Sequence, residues 1–222
     1  MLQAEHISFA YRKKQVLKDI CFTAAKGDFI GIIGQNGCGK STLLSVLAGV
    51  RRPASGTLSF HGSPLFAGTR VPAETVGYVP QLNPLLPELS VRDNLKLWRR
   101  NTVSSSGEAQ DSLYRQMGLA EYLGVPVAKL SEGMKKRISI TSVLQNAPEI
   151  LILDEPSAAL DLPCKEIIHN QLLLFAENGG IVLFTTHEEA EFSLCSTLYI
   201  LKDGVLQQTD SVRAKDALIK QS

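Results

Sequence analysis

The segment that most constrains this chain is Gly34-Gln35-Asn36-Gly37-Cys38-Gly39-Lys40-Ser41, which fits G-x-x-x-x-G-K-[ST] in full. Its glycines let the backbone curl tightly and turn its N–H groups toward phosphate oxygens. A compact apolar run, Phe29-Ile30-Gly31-Ile32-Ile33, precedes it and stops at Gly34, as a buried strand does. Residues 40–48 follow with helical character and end at Gly49. A helix starting there directs unpaired N–H groups and the positive end of its dipole at the same anion. Lys40 reaches the outer phosphates, and Ser41 offers a hydroxyl to magnesium. A chance glycine-rich turn would dictate neither flank.

A second apolar run, Ile150-Leu151-Ile152-Leu153, ends in Asp154-Glu155. A buried strand of a parallel sheet delivers such a pair to the crevice at its carboxyl end, where Asp154 would help hold magnesium and Glu155 would polarise an attacking water. Taken alone, the same pair also suits a surface turn opening the next helix.

Residues 2–9 and 16–23 read as strands joined through Tyr11–Lys14, and 57–60 and 76–79 as further short strands. Between 90 and 147 strand signals of that strength disappear. Helices are predicted at 90–100, where Asp93 follows Ser90 as in a capped start, and at 108–117 and 132–144, with a Ser-rich loop at 102–107. Strand-like 150–153 and 181–185 enclose a helical 165–177, a parallel strand–helix–strand unit. A hairpin over 198–207 and a helix over 211–220 complete the chain.

Net charge is +1, from 23 basic and 22 acidic residues, so bulk charge gives no reason to expect a nucleic-acid partner. The four cysteines, Cys21, Cys38, Cys164 and Cys195, are too scattered for a zinc site and read as reduced, mostly buried thiols. The first residues lack the basic-then-apolar layout of a signal peptide, and no apolar run approaches the roughly 20 residues that cross a bilayer. Work at a membrane would require another chain to span it.

Taken in order, the motifs resemble the ATP-binding cassette (ABC) ATPases. The phosphate loop is Gly34–Thr42, and Tyr78-Val79-Pro80-Gln81 looks like the glutamine loop. Leu130-Ser131-Glu132-Gly133-Met134 resembles the signature Leu-Ser-Gly-Gly-Gln. Residues 150–155 form the second acidic motif, and Pro156–Asp161 is similar to the D-loop. Thr185-Thr186-His187 resembles the switch segment. The resemblance implies an α/β fold: a P-loop NTPase core with a mainly parallel sheet, an N-terminal antiparallel β region and a helical subdomain. One domain over 1–222 would carry that subdomain at about 84–146.

It also implies ATP with Mg²⁺ and a set of roles. Lys40, Gln81, Glu155 and His187 would be catalytic. Ser41, Gln81 and Asp154 would hold the metal. Nucleotide contacts would come from Tyr11, Gly34, Asn36, Gly37, Cys38, Gly39, Lys40, Ser41, Thr42, Ser131 and Gly133. By residue chemistry alone, Tyr11 is either a stacking face for adenine or a cap on the core. Gln81 after a proline would ordinarily be a surface residue, and a lone histidine at 187 more often structural. Glu132 replaces a signature glycine and should point outward. Lys135-Lys136-Arg137 either offsets its charge or forms a solvated helix face, the reading favoured here. Cys38, beside Lys40 and a helix start, is either a thiol of lowered pKa whose alkylation blocks ATP or an incidental small residue.

In this family the signature of one subunit faces the phosphate loop of another, which implies a second ABC ATPase subunit as homodimer or heterodimer partner, with Asp161 linking the two sites. It further implies a membrane permease partner and a peripheral place on the cytoplasmic face of the membrane. Leu85, Leu86, Leu89 and Trp98 are candidates for the permease contact, or for the core of the helical region. Gly133-Met134-Lys135 resembles bacterial exporters more than importers. The alternatives are a soluble single-cassette ATPase, such as one serving iron–sulfur cluster assembly, and an inactive scaffold, which the presence of Lys40, Asp154, Glu155 and His187 disfavours.

Overall fold

A computed structural model describes residues 1–65, 75–100 and 107–219. The chain opens with a long hairpin, β1 (Leu2–Tyr11) and β2 (Lys14–Ala24), followed by β3 (Phe29–Ile33) and α1 (Lys40–Leu47). β4 (Ser55–Phe60), β5 (Ser63–Pro64) and β6 (Val76–Val79) come next, then α2 (Val91–Trp98), α3 (Gly107–Gln116) and α4 (Glu132–Leu144). The last third holds β7 (Ile150–Leu153), α5 (Leu162–Glu177), β8 (Ile181–Thr185), β9 (Thr197–Lys202), β10 (Val205–Thr209) and α6 (Ser211–Ile219).

The strands form two sheets. One is antiparallel, in the order β2-β1-β4-β5. The other runs β10-β9-β3-β8-β7-β6, parallel except for the β9–β10 hairpin. Period-two alternation sorts the apolar runs of the parallel strands between two cores. Ile30, Ile32, Ile150, Ile152, Ile181 and Leu183 face a core shared with the antiparallel sheet. Helix α1 lies in that core, touching β2 on one side and β7 and β8 on the other through Leu43, Leu44, Val46 and Leu47. Phe29, Leu151, Leu153, Val182 and Phe184 face the opposite core, built with residues of α2, α4 and α5 such as Val91, Leu95, Ile138, Ile140, Ile168 and Leu172. Burial on both faces explains why these strands read as continuous apolar runs.

This sheet positions the site. β3, β6, β7 and β8 are parallel, so their carboxyl ends lie along one edge. Gly34, Pro80-Gln81, Asp154-Glu155 and Thr186-His187 follow those ends. Four segments far apart in sequence meet there for that reason.

Some expectations needed correction. Helix α5 begins at Leu162 rather than Lys165, because Asp161 caps it by accepting from the Cys164 N–H at 3.0 Å. The short 3-10 turns at Ala120–Tyr122, Val127–Lys129 and Glu189–Leu194 carried no periodicity to detect. The thiols are not mostly buried: Cys164 is, Cys38 and Cys195 are half-buried, and Cys21 is exposed. Cys21 takes the outward register between buried Ile20 and Phe22 on β2. Of the Ser-rich loop expected at 102–107, residues 102–106 lie outside the described residues, and Gly107 opens α3. Among the described residues, no helix is long and apolar enough to cross a membrane.

Candidate functional site

The loop after β3 bends through Gly34, Gly37 and Gly39, with φ of 156°, 75° and 114°. Space reinforces the choice of glycine at two of them. A Cβ on Gly34 would stand 2.5 Å from the Leu201 carbonyl oxygen, and one on Gly39 would stand 2.8 Å from Val16. Gly39 is also the N-cap of α1 and supplies no capping side chain. Helical hydrogen bonding begins with the Leu43 N–H to the Gly39 carbonyl at 2.8 Å, so the N–H groups before it are left for an anion. Lys40 is only 6% exposed; its ammonium donates to the carbonyls of Gly34 at 2.8 Å and Gln35 at 3.2 Å. The lysine is thereby folded over the loop whose phosphate it would meet.

Facing the loop is an acidic cluster. The Thr185 hydroxyl donates to Oδ1 of buried Asp154 at 2.7 Å and accepts the Glu155 N–H at 2.9 Å. Glu155 sits at φ 48°, a costly conformation for a non-glycine residue. The Gln81 amide donates to its Oε2 at 2.9 Å. His187 Nε2 lies 3.1 Å from Oε1, but off the line of a hydrogen bond, so this buried ring atom has no hydrogen-bond partner among the described residues. Asn36, Gly37, Lys40, Ser41, Thr42, Gln81, Glu155 and His187 line one open cleft of about 590 Å³ together with Tyr11, Lys14, Val16 and Gly39. That volume suits a small-molecule ligand. Thr185 was named in the switch segment but given no role of its own, although a hydroxyl residue closing an apolar strand two positions before His187 was a usable signal.

Tyr11 stands at the mouth of the cleft, 42% exposed, with its hydroxyl 3.5 Å from Thr42 Oγ1. Phe9 packs edge-on against its ring, and the Arg51 guanidinium carbon lies 5.0 Å from the ring centroid. Cys38 lies in the loop as expected, but its thiol is pushed up, not down. Desolvation by burial outweighs the lowering by Lys40. Loss of water to this thiol outweighs the nearby charge, so Cys38 is not the thiol of lowered pKa that its neighbours in sequence suggest.

The signature-like segment stands apart. Neither Ser131 nor Gly133 is among the residues lining the cleft. Ser131 caps α4, accepting from the Met134 N–H at 3.3 Å. Glu132 points outward and pairs with Lys135 at 2.8 Å. Gly133 has a packing reason to be glycine, since a Cβ there would stand 2.4 Å from the Cys164 sulfur on α5. The run at 135–137 is not a solvated face. Arg137 donates to the Met117 carbonyl at 3.0 Å, and Lys136 is 6% exposed, donating to the carbonyls of Gln81 at 2.8 Å and Pro80 at 3.3 Å. Burial lowers the pKa of the Lys136 ammonium, while Asp154, Glu155 and Glu132 oppose that shift. Of the apolar candidates, Leu85 and Leu89 are half-buried while Leu86 and Trp98 are exposed, joined by exposed Leu82 and Leu97.

A family model described as ABC transporter matches residues 17–158. The chain is 36% identical over 209 residues to the linearmycin resistance ATP-binding protein LnrL of Bacillus subtilis (strain 168), covering 92% of this chain and 67% of that protein. It is 34% identical over 208 residues to the Nod factor export ATP-binding protein I of Paraburkholderia xenovorans (strain LB400), covering 91% of this chain and 68% of that one. It thus spans about two thirds of the length of these relatives. Among solved structures, a bacterial ABC transporter cassette determined as a dimer is similar at TM-score 0.84 and 25% identity, covering 95% of this chain and 99% of that one. With most of the chain inside the family model and the phosphate loop and acidic cluster meeting in one cleft, the chain belongs to the ABC transporter family, as an ATP-binding subunit that hydrolyses ATP.

Proposed function

We propose that this chain powers a membrane exporter, working as one half of an ATP-closed dimer. The observation that carries this reading is the convergence of Lys40, Gln81, Glu155 and His187 on one cleft that Ser131 and Gly133 do not line. A site that lacks its signature contacts within one chain calls for a second chain to supply them. The β- and γ-phosphates would sit against the N–H groups at the start of α1, with Lys40 turned from the loop carbonyls onto phosphate. Glu155 would take up the proton of the attacking water. His187 Nε2, which makes no hydrogen bond among the described residues, would donate to the γ-phosphate. Tyr11 would stack on adenine and Asp161 would face the partner subunit.

The donor set fits a hard cation: a carboxylate, Asp154, a hydroxyl, Ser41, and an amide oxygen, Gln81. Mg²⁺ bound there would neutralise charge building on the phosphates. The helices between about 84 and 146 would form a subdomain of a single ATPase domain. A groove of about 440 Å³ beside Tyr78, Pro84, Leu97 and Trp98 would receive the permease. That contact would hold the chain on the cytoplasmic face of the membrane. The resistance and export named for the relatives support export as the direction.

Affinity capture from detergent-solubilised membranes tests the reading. Recovery of a polytopic membrane protein is expected, weakened by Leu97→Asp. Recovery of soluble assembly proteins alone would favour the soluble single-cassette alternative.

A further inference from the structure

Three cations follow one another on α4, and successive helical positions point about 100° apart. Lys135 meets Glu132, and Arg137 meets the Met117 carbonyl. Lys136 turns into the protein and spans from α4 to the end of β6, where its ammonium binds the two carbonyls of Pro80 and Gln81. A buried ammonium persists only where hydrogen bonds and opposite charge replace water. The carbonyls supply the first, and Asp154, Glu155 and Glu132 the second.

The two carbonyls flank the Cα of Gln81, the residue whose amide stands 2.9 Å from Glu155. We propose that Lys136 is a positioning residue for Gln81: its hydrogen bonds hold the Pro80–Gln81 backbone against α4 and so set where the Gln81 amide stands relative to Glu155. The proposal rests on the reading of Gln81 as part of the hydrolytic machinery. Lys136 does not line the nucleotide cleft. Its removal should therefore act only through Gln81, costing the chemical step more than MgATP binding.

Steady-state kcat and KM for MgATP of the full chain provide the test. Lys136→Met is expected to lower kcat about tenfold and leave KM within about twofold. In a Gln81→Ala background, the same change should cost less than about twofold, because the group it positions is gone. Lys136→Gln keeps N–H donors without the charge and should recover most of the loss. Losses that multiply in the double variant, a wild-type kcat for Lys136→Met, or a Lys136→Gln enzyme as slow as Lys136→Met would each overturn the proposal. If Lys136→Met does not fold, Lys136→Gln decides alone, with kcat within about threefold supporting the hydrogen-bonded tie and a loss of about tenfold overturning it. An undiminished kcat in Gln81→Ala alone is the separate result that removes the role of Gln81, and the lysine's with it.

Discussion

Glu155 is constrained at both its backbone and its carboxylate. Its backbone is held at φ 48° by the Thr185 hydroxyl, and its carboxylate stands between Gln81 and His187. Such overdetermination is what allows a strained residue to persist. If Glu155 is the general base, Glu155→Gln should lower kcat by at least about 100-fold, since the amide fits the same space but accepts no proton. Equilibrium binding of labelled ATP should be unchanged in that variant, and a normal kcat would place the base elsewhere. The acidic pair was legible in the sequence because it closes an apolar run. The threonine that orders it lies 30 residues away, and only the pairing of β7 with β8 reveals the partnership.

At the scale of elements, the contact of α4 with α5 decides how closely the signature-like segment can lie against the core. Gly133 permits it, with the Cys164 sulfur 2.4 Å from where a Cβ would stand. Gly133→Ala is expected to destabilise the fold by about 1–3 kcal/mol through overpacking. Cys164→Ala in the same chain should recover part of that, and urea midpoints of the four proteins measure both effects. Strictly additive changes would show that the two residues are not coupled. The sequence marked Gly133 for its place in a motif and could not reveal that a second helix also requires its smallness. The three adjacent cations at 135–137 read as one solvated face, yet helix geometry sent each to a different partner.

Across the whole molecule, buried Glu191 joins segments that the sequence leaves unrelated. It accepts from the Ser157 hydroxyl, pairs with His169 of α5 at 2.7 Å, and is hydrogen-bonded by Thr186. Burial raises its pKa, but the hydrogen bonds from His169, Ser157 and Thr186 outweigh that and hold it below the ordinary value. A carboxyl with a lower pKa in the native chain contributes its full stability above the unfolded value of about 4.3. That contribution disappears as pH falls through the native value. Urea stability should therefore drop more steeply as pH falls below about 5 in wild type than in Glu191→Gln, which should be less stable at neutral pH; equal slopes would assign the acid transition to other carboxyls. Local sequence determined the phosphate loop, the acidic pair and the alternation of strands and helices, because glycine conformations and runs of buried side chains are written over a few adjacent residues. Tertiary structure alone decided that Gln81, Glu155 and His187 share the cleft with Lys40, that Ser131 does not line it, and that Lys136 is buried. Those outcomes depend on strand order and helix packing, which bring together side chains that no spacing in the sequence relates.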